Sequence, residues 1–223
     1  MESMKSIIFA LTLGLGLVPG VNAQTPDVGL VNQLQGEVNY QSDGSQAAKA
    51  QAFMKVRQGD RFTLPAGAQI RVVYMDGGRQ ETWRGPSAFR AGAKQGEATN
   101  GQPLLVSQLP SAVSQRIQQA PELVQIARLG RSGGVNVRGA KSARPPRLTA
   151  EQQIEVSAAK ETYKTLRAQS AVDDIMPEMD LYAVLQDYLL YEEIKPVVEE
   201  MAKRAPGNSD VEALVAYVKI RTQ

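Results

Sequence analysis

The chain has 223 residues, of which 25 are basic and 23 acidic, and its formal net charge is +2 at neutral pH. This balance is unlike the strongly basic composition of a dedicated nucleic-acid-binding protein, so we expect no nucleic acid as a partner. Cysteine and histidine are both absent, which excludes disulfide bonds, a Ser-His-Asp triad, a cysteine nucleophile and an ordinary zinc site. Carboxylate-pair, Ser-Lys and tyrosine chemistry remain, and no cofactor is indicated.

Residues 1–23 have the pattern of an export signal. Lys5 precedes an apolar run from Ile7 to Val18, and the small residues Val21 and Ala23 fit the rule for signal peptidase. The run is shorter than the roughly 20 residues of an ordinary membrane span, although a retained membrane anchor is the alternative. We expect cleavage before Gln24, export to the periplasm of a Gram-negative bacterium, and no transmembrane span after cleavage.

Residues 24–105 predict a small all-β domain. Short apolar runs alternate with turn residues at about the 8–12-residue spacing of a sandwich or barrel, and helix-period patterns are hard to place between them. The segment from Ala91 to Pro103 is rich in glycine, alanine, glutamine and asparagine, and it predicts a mobile loop.

The clearest piece of this domain is a hairpin around residues 76–78, which read Asp-Gly-Gly. Because strand side chains alternate, Ile70, Val72 and Tyr74 share one face. A two-residue turn at Asp76-Gly77 or at Gly77-Gly78 suits the positive φ angles of hairpins, and either register places Trp83 on that face. We expect Trp83 to pack in the core rather than to stack on a ligand.

The same glycine turn has two other interpretations, both weaker. A calcium loop needs several oxygen ligands at alternating positions, and only Asp76 is nearby. A phosphate loop needs glycines that lead into a helix with a lysine and a hydroxyl residue, whereas a strand follows here. The pattern therefore favours a structural turn.

Residues 106–130 predict connecting helices. Apolar side chains recur every three to four residues from Leu109 to Leu129, and Pro121 predicts a break near Gln119-Ala120. Gly130 is a natural helix end.

Residues 131–148 form a linker that contains glycine and proline pairs and no acidic residue. A solvated tether is the simplest interpretation. The sharper one is a contact with an anionic surface, either lipid headgroups or an acidic polysaccharide. The candidate contact residues are Arg131, Arg138, Lys141, Arg144 and Arg147.

Residues 149–223 have helical periodicity throughout. Thr149 is a suitable N-cap, and Pro177 suits the first turn of the next helix. We expect a further break near Tyr191, and residues 206–209 end one helix and cap the next.

An acidic cluster lies where the second of these helices begins, and it comprises Asp173, Asp174, Glu178 and Asp180. Carboxylate pairs perform glycoside chemistry, so an enzyme that processes glycans is one interpretation. The favoured interpretation is acidic charge that complements the helix dipole at its N-terminus.

The turns of the β domain and the helices near the C-terminus each resemble a known family. In order and spacing, five short segments resemble the turns of the FecR-like domain found in exported bacterial proteins. These segments are Gly36-Glu37-Val38, Gln58-Gly59-Asp60, Pro65-Ala66-Gly67-Ala68, Met75-Asp76-Gly77-Gly78 and Gly85-Pro86-Ser87. Residues 177–208 look like a degenerate tetratricopeptide unit, with bulky Tyr182, Ile194 and Met201 where that pattern has small residues. The resemblances imply an α+β chain of two domains, a FecR-like sandwich or barrel followed by a tetratricopeptide-like helical bundle.

Both families imply partner binding rather than catalysis. We therefore expect a non-enzymatic periplasmic adaptor or scaffold that binds envelope proteins or glycans. The alternatives are a periplasmic sensor that acts through a separate membrane protein and, less favoured, the carboxylate enzyme.

Overall fold

A computed structural model describes residues 25–131 and 147–222. Ten strands come first, namely β1 (Asp27–Gln35), β2 (Asn39–Gln41), β3 (Ala48–Lys49), β4 (Lys55–Arg57), β5 (Arg61–Leu64), β6 (Gln69–Tyr74), β7 (Arg79–Arg84), β8 (Ser87–Ala91), β9 (Gly96–Asn100) and β10 (Leu105–Gln108). Six helices follow, namely α1 (Ser111–Ile117), α2 (Ala120–Arg131), α3 (Ala150–Gln169), α4 (Met176–Asp187), α5 (Tyr191–Arg204) and α6 (Ser209–Arg221). The expected α+β composition, with the strands first, is confirmed.

The strands form two antiparallel sheets of five. Sheet A has the order β10-β7-β6-β1-β4, and sheet B has the order β3-β2-β5-β8-β9. Their facing sides bury a common apolar core in which Trp83 of sheet A stacks on Phe89 of sheet B, with ring centroids 4.4 Å apart. Burial of these large rings supplies much of the free energy that holds the two sheets together.

The hairpin confirms the expected position of Trp83 but corrects the turn. Trp83 lies opposite Ile70 in the β6–β7 register and is fully buried. The turn has the four residues Met75–Gly78 rather than two, because the backbone groups of its end residues bond outside the hairpin. Met75 N–H donates to the Val28 carbonyl at 2.9 Å, and the Gly78 carbonyl accepts from Leu109 N–H at 2.8 Å.

The loop expected from Ala91 to Pro103 is wrong in part, since β8 ends at Ala91 and β9 covers Gly96–Asn100. The two strands pair as an antiparallel hairpin. Gly96 approaches the Trp83 ring so closely that a Cβ there would lie 2.8 Å from it. Low local strand propensity is thus overridden by tertiary packing.

The other face of sheet A lies against the helices. Leu30 and Val73, which are paired across β1 and β6, join the same core cluster as buried side chains of all six helices. Phe53, from the loop before β4, joins this cluster as well. Sheet A is therefore a middle layer with sheet B on one side and helices on the other.

The expected helix breaks and N-terminal signals are confirmed, but the end expected at Gly130 is not, since α2 includes Gly130 and reaches Arg131. α1 and α2 are separated at residues 118–119. Thr149 caps α3 through a capping box with Gln152, Pro177 lies in the first turn of α4, and Asn208 caps α6. α1 and α2 also pack against α4 and α6, so they belong to the helical layer.

Within the described ranges, no helix is both long enough and apolar enough to cross a membrane.

Candidate functional site

Only two of the five basic residues expected to contact an anionic surface lie among the described residues. Arg138, Lys141 and Arg144 lie outside the described residues. Arg131 is the last residue of α2, and Arg147 is exposed just ahead of α3.

The carboxylates of the acidic cluster, in contrast, contact side chains of sheet A and of other helices. Asp174 is buried, and its Oδ1 accepts from the Met176 N–H at 3.0 Å, at the start of α4. Its Oδ2 accepts from the side-chain amide of Gln80 on β7 at 2.9 Å. Asp174 thus lies next to the N-terminus of α4, as expected, although Ile175 is the N-cap residue. The same carboxylate also ties the helices to sheet A.

Arg71 of β6 is the cation of this contact. It is almost fully buried and lies 3.4 Å from Asp173 Oδ1 and 3.8 Å from Asp174 Oδ2. Gln33 donates to Asp173 Oδ2 at 2.6 Å. Burial by itself raises the pKa of Asp173, but the Gln33 hydrogen bond and the Arg71 charge outweigh it and lower that pKa below its usual value.

A bulge in β1 aims the polar groups of sheet A at these carboxylates. The β1–β6 register shifts between Val31 and Gln33, and the extra residue is Asn32. Asn32 is buried and donates to Gln80 Oε1 at 3.2 Å. Bulges re-aim side chains in this way, and here the bulge builds a polar contact between the sheet and the α3–α4 loop.

Glu178 and Asp180 also form ion pairs with arginine side chains. Glu178 is fully buried and contacts Arg167 at 3.1 Å and Arg204 at 3.2 Å. Asp180 is fully buried and accepts two hydrogen bonds from Arg116, at 2.7 and 3.1 Å. The hydrogen bonding to Asp180 and the negative charge of that carboxylate raise the pKa of Arg116, although the partial burial of Arg116 opposes the rise.

The four carboxylates thus hold secondary-structure elements together. A retaining or inverting glycosidase needs two carboxyl groups that flank an accessible sugar, and in this structure Asp174, Glu178 and Asp180 are shielded from solvent. Among the described residues, no group of three or more carboxylates is arranged to hold a metal ion.

The Asp76-Gly77-Gly78 turn serves the fold. Both glycines have positive φ, +85° at Gly77 and +68° at Gly78. A Cβ at Gly78 would lie 2.5 Å from the Leu109 carbonyl oxygen, where the chain leaves β10 for α1. Asp76 forms an exposed ion pair with Lys94 at 3.0 Å. The turn therefore sets the position of β10 beside β7.

β10 is the candidate functional site. It is the edge strand of sheet A, beyond β7, and all of its residues are exposed. Three consecutive large apolar side chains are open to solvent, with 58% exposure at Leu104, 50% at Leu105 and 42% at Val106. An exposed apolar edge is a template for pairing with another chain.

The exposed side chains lie on both faces of the sheet. Leu105 is opposite Thr82, and Val106 is opposite Glu81. Glu81 accepts a hydrogen bond from Trp83 on the side that faces sheet B, so Val106 lies on that side and Leu105 on the side that faces the helices.

The other three sheet edges among the described strands carry charge. β4 has Lys55 and Arg57, β3 has Lys49, and β9 has Glu97. Charged side chains on edge strands prevent unwanted pairing. β10 lacks this protection, which sets it apart as the edge suited to a partner.

β10 was not predicted from the sequence, although the sequence carries a signal for it. No charged residue occurs from Ala98 to Gln115, and Pro103 and Pro110 bracket the apolar run. The signal could not be interpreted without the sheet order, because a run of this composition suits a buried strand as well as an exposed edge.

No protein-family model matches the chain, and searches of curated proteins and of solved structures found no match either.

Proposed function

We propose that the protein is a non-catalytic adaptor of the cell envelope that binds another protein at the β10 edge. The single observation that carries this proposal is the uncharged edge strand β10, where Leu105 and Val106 are about half exposed, as is Leu104 just before the strand. Burial of such side chains by a partner removes apolar surface from water, at about 25 cal/mol per Å².

Two further features support a binding role. The turn pattern resembles the FecR-like domain and the α4–α5 pair resembles a tetratricopeptide unit, and both families consist of binding modules. The acidic cluster that suggested a carboxylate enzyme is held in ion pairs with Arg71, Arg116, Arg167 and Arg204. The export pattern of residues 1–23 supports a periplasmic location for the adaptor.

The test is affinity capture from envelope extract with the full chain as bait. The double variant Leu105→Lys/Val106→Lys adds two charges to the edge, and both of the side chains that it replaces are exposed. Ile154→Lys is the matched control, since Ile154 is an exposed apolar residue of α3. We expect wild type and the control to recover the same partner and the edge variant to recover at least tenfold less. Equal recovery by all three would refute the proposal.

A further inference from the structure

Among the described strands, none pairs with the outer side of β10, so its backbone presents hydrogen-bonding groups there. Leu109 N–H donates to the Gly78 carbonyl, and the β10–β7 register places Leu105 opposite Thr82 and Ser107 opposite Gln80. Bonded and non-bonded pairs alternate along an antiparallel ladder. The backbone groups of Leu105 and Ser107 therefore face β7, and those of Val106 and Gln108 face away from the sheet.

From this geometry we infer that β10 binds its partner by strand addition, with an extended segment of another protein as the sixth strand of sheet A. This inference rests on the proposed adaptor function and specifies how that site works. Val106 and Gln108 each offer one N–H donor and one carbonyl acceptor to the added strand. The main chain then gives affinity, and the side chains that alternate across the sheet give selectivity.

The chemistry of the edge specifies the segment. Residues 98–115 contain no charge, so the side chains of β10 itself offer no ionic partner to compensate a charged strand for the water that it loses on binding. Leu105 on one face and Val106 on the other favour apolar side chains on both sides of the added strand. The occupant is therefore an uncharged extended segment of at least about five residues with apolar β-branched or aromatic side chains.

The length of the edge favours such a segment over a second copy of this chain. β10 has only four residues, between Pro103 and Pro110. Two copies that pair only through this strand would bury less than the roughly 1,200 Å² of a stable interface. A flexible segment is not limited to the strand, because it can follow the neighbouring surface on both sides of β10.

The experiment is site-specific photo-crosslinking in the source cell, followed by hydrogen exchange. A photoreactive phenylalanine replaces Leu105 in the full chain, and the crosslinked peptide is sequenced. We expect an uncharged segment with apolar side chains. A synthetic peptide of that sequence should slow amide exchange at Val106 and Gln108 at least tenfold, with little change at Ser107. A charged crosslinked segment, a crosslink to β10 of a second copy, or no crosslink would overturn the inference.

Two substitutions separate this inference from the adaptor proposal. Val106→Pro removes the outward N–H and leaves the bonds to β7, since proline is tolerated on edge strands where its nitrogen faces solvent. Val106→Ala is the control that keeps the N–H. We expect Val106→Pro to weaken binding of the synthetic peptide at least fivefold more than Val106→Ala does. If Val106→Pro and Val106→Ala bind the peptide equally while Leu105→Lys/Val106→Lys abolishes capture, the partner binds at the β10 surface without strand addition, and the inference is wrong.

Discussion

At the scale of single residues, most functional-looking groups of this chain serve the fold. Asp76, Gly77 and Gly78 form the turn that places β10, and Asp173 and Asp174 link the helices to Arg71 on sheet A. The sequence identifies these residues as unusual because turns and acidic clusters are local patterns. It does not identify Arg71 as their partner, because Arg71 and Asp173 are 102 positions apart.

The Gly78 position gives the first prediction. Gly78→Ala places a Cβ 2.5 Å from the Leu109 carbonyl oxygen and also requires positive φ. Gly77→Ala requires positive φ as well but meets no atom closer than 4.0 Å. We expect Gly77→Ala to lower the free energy of unfolding by about 1 kcal/mol and Gly78→Ala by at least twice that amount. Urea unfolding measures both, and equal losses would contradict the close approach.

The pKa of Asp173 gives a second prediction at this scale. Because that pKa is lowered in the folded chain, the stabilising contact is fully present above the ordinary value of 3.8 and is lost as the pH falls through the folded-state value. Asp173→Asn should lower the free energy of unfolding at neutral pH by about 0.5–1 kcal/mol, since Asp173 is half exposed.

Unfolding curves of wild type and Asp173→Asn over a range of pH provide the measurement. The difference in the free energy of unfolding between wild type and Asp173→Asn should be constant between neutral pH and about pH 5 and should shrink below pH 3.8. Asp76→Asn, at an exposed pair with Lys94, is the control and should cost less than about 0.5 kcal/mol. A difference for Asp173→Asn that is unchanged in acid would show that its charge has no part in the contact.

At the scale of elements, the sequence predicts what depends on local chemistry. Thr149, Pro177 and Asn208 mark helix starts because capping and the fixed proline φ are properties of one turn. The β8–β9 hairpin was missed because Gly96 of sheet B is required for its fit against Trp83 of sheet A, a contact between the two sheets. The bulge at Asn32 has no local signal either, since only the pairing of β1 with β6 defines it.

The pairing of α1 with α4 gives a prediction at this scale. Arg116→Ala leaves Asp180 fully buried without its cation, which should cost about 3 kcal/mol. Lys164→Ala removes an exposed i,i+3 pair with Glu161 and should cost less than about 0.5 kcal/mol. Chemical unfolding compares the two variants, and a small loss for Arg116→Ala would mean that water replaces the guanidinium beside Asp180.

At the scale of the whole molecule, the strands and the helices share one core. Leu30 and Val73 of sheet A lie in the same buried cluster as the helical side chains, and Arg71 bonds to the α3–α4 loop from the same face. Sequence periodicity separates a strand half from a helical half, because it reports each element's own apolar face. It does not report that sheet A buries both of its faces.

This shared core predicts cooperative unfolding. Trp83 is the only tryptophan and reports on the sheets, whereas circular dichroism at about 222 nm reports mainly on the helices. We expect the two signals to lose their native values at the same temperature. Val73→Ala should shift both transitions together, because Val73 belongs to the shared core. Two transitions separated by several degrees would instead mean that the halves unfold independently.

Binding of a partner at the β10 edge is tested most directly by the protection of a single cysteine in the envelope. Since the chain has no cysteine, Val106→Cys and Ile154→Cys each introduce one exposed thiol for maleimide labelling in intact periplasm and on the purified chain. We expect labelling of Val106→Cys to be at least tenfold slower in the periplasm than on the purified chain, and labelling of Ile154→Cys to be similar in both. Equal rates at Val106→Cys in the two settings would contradict a partner at this edge.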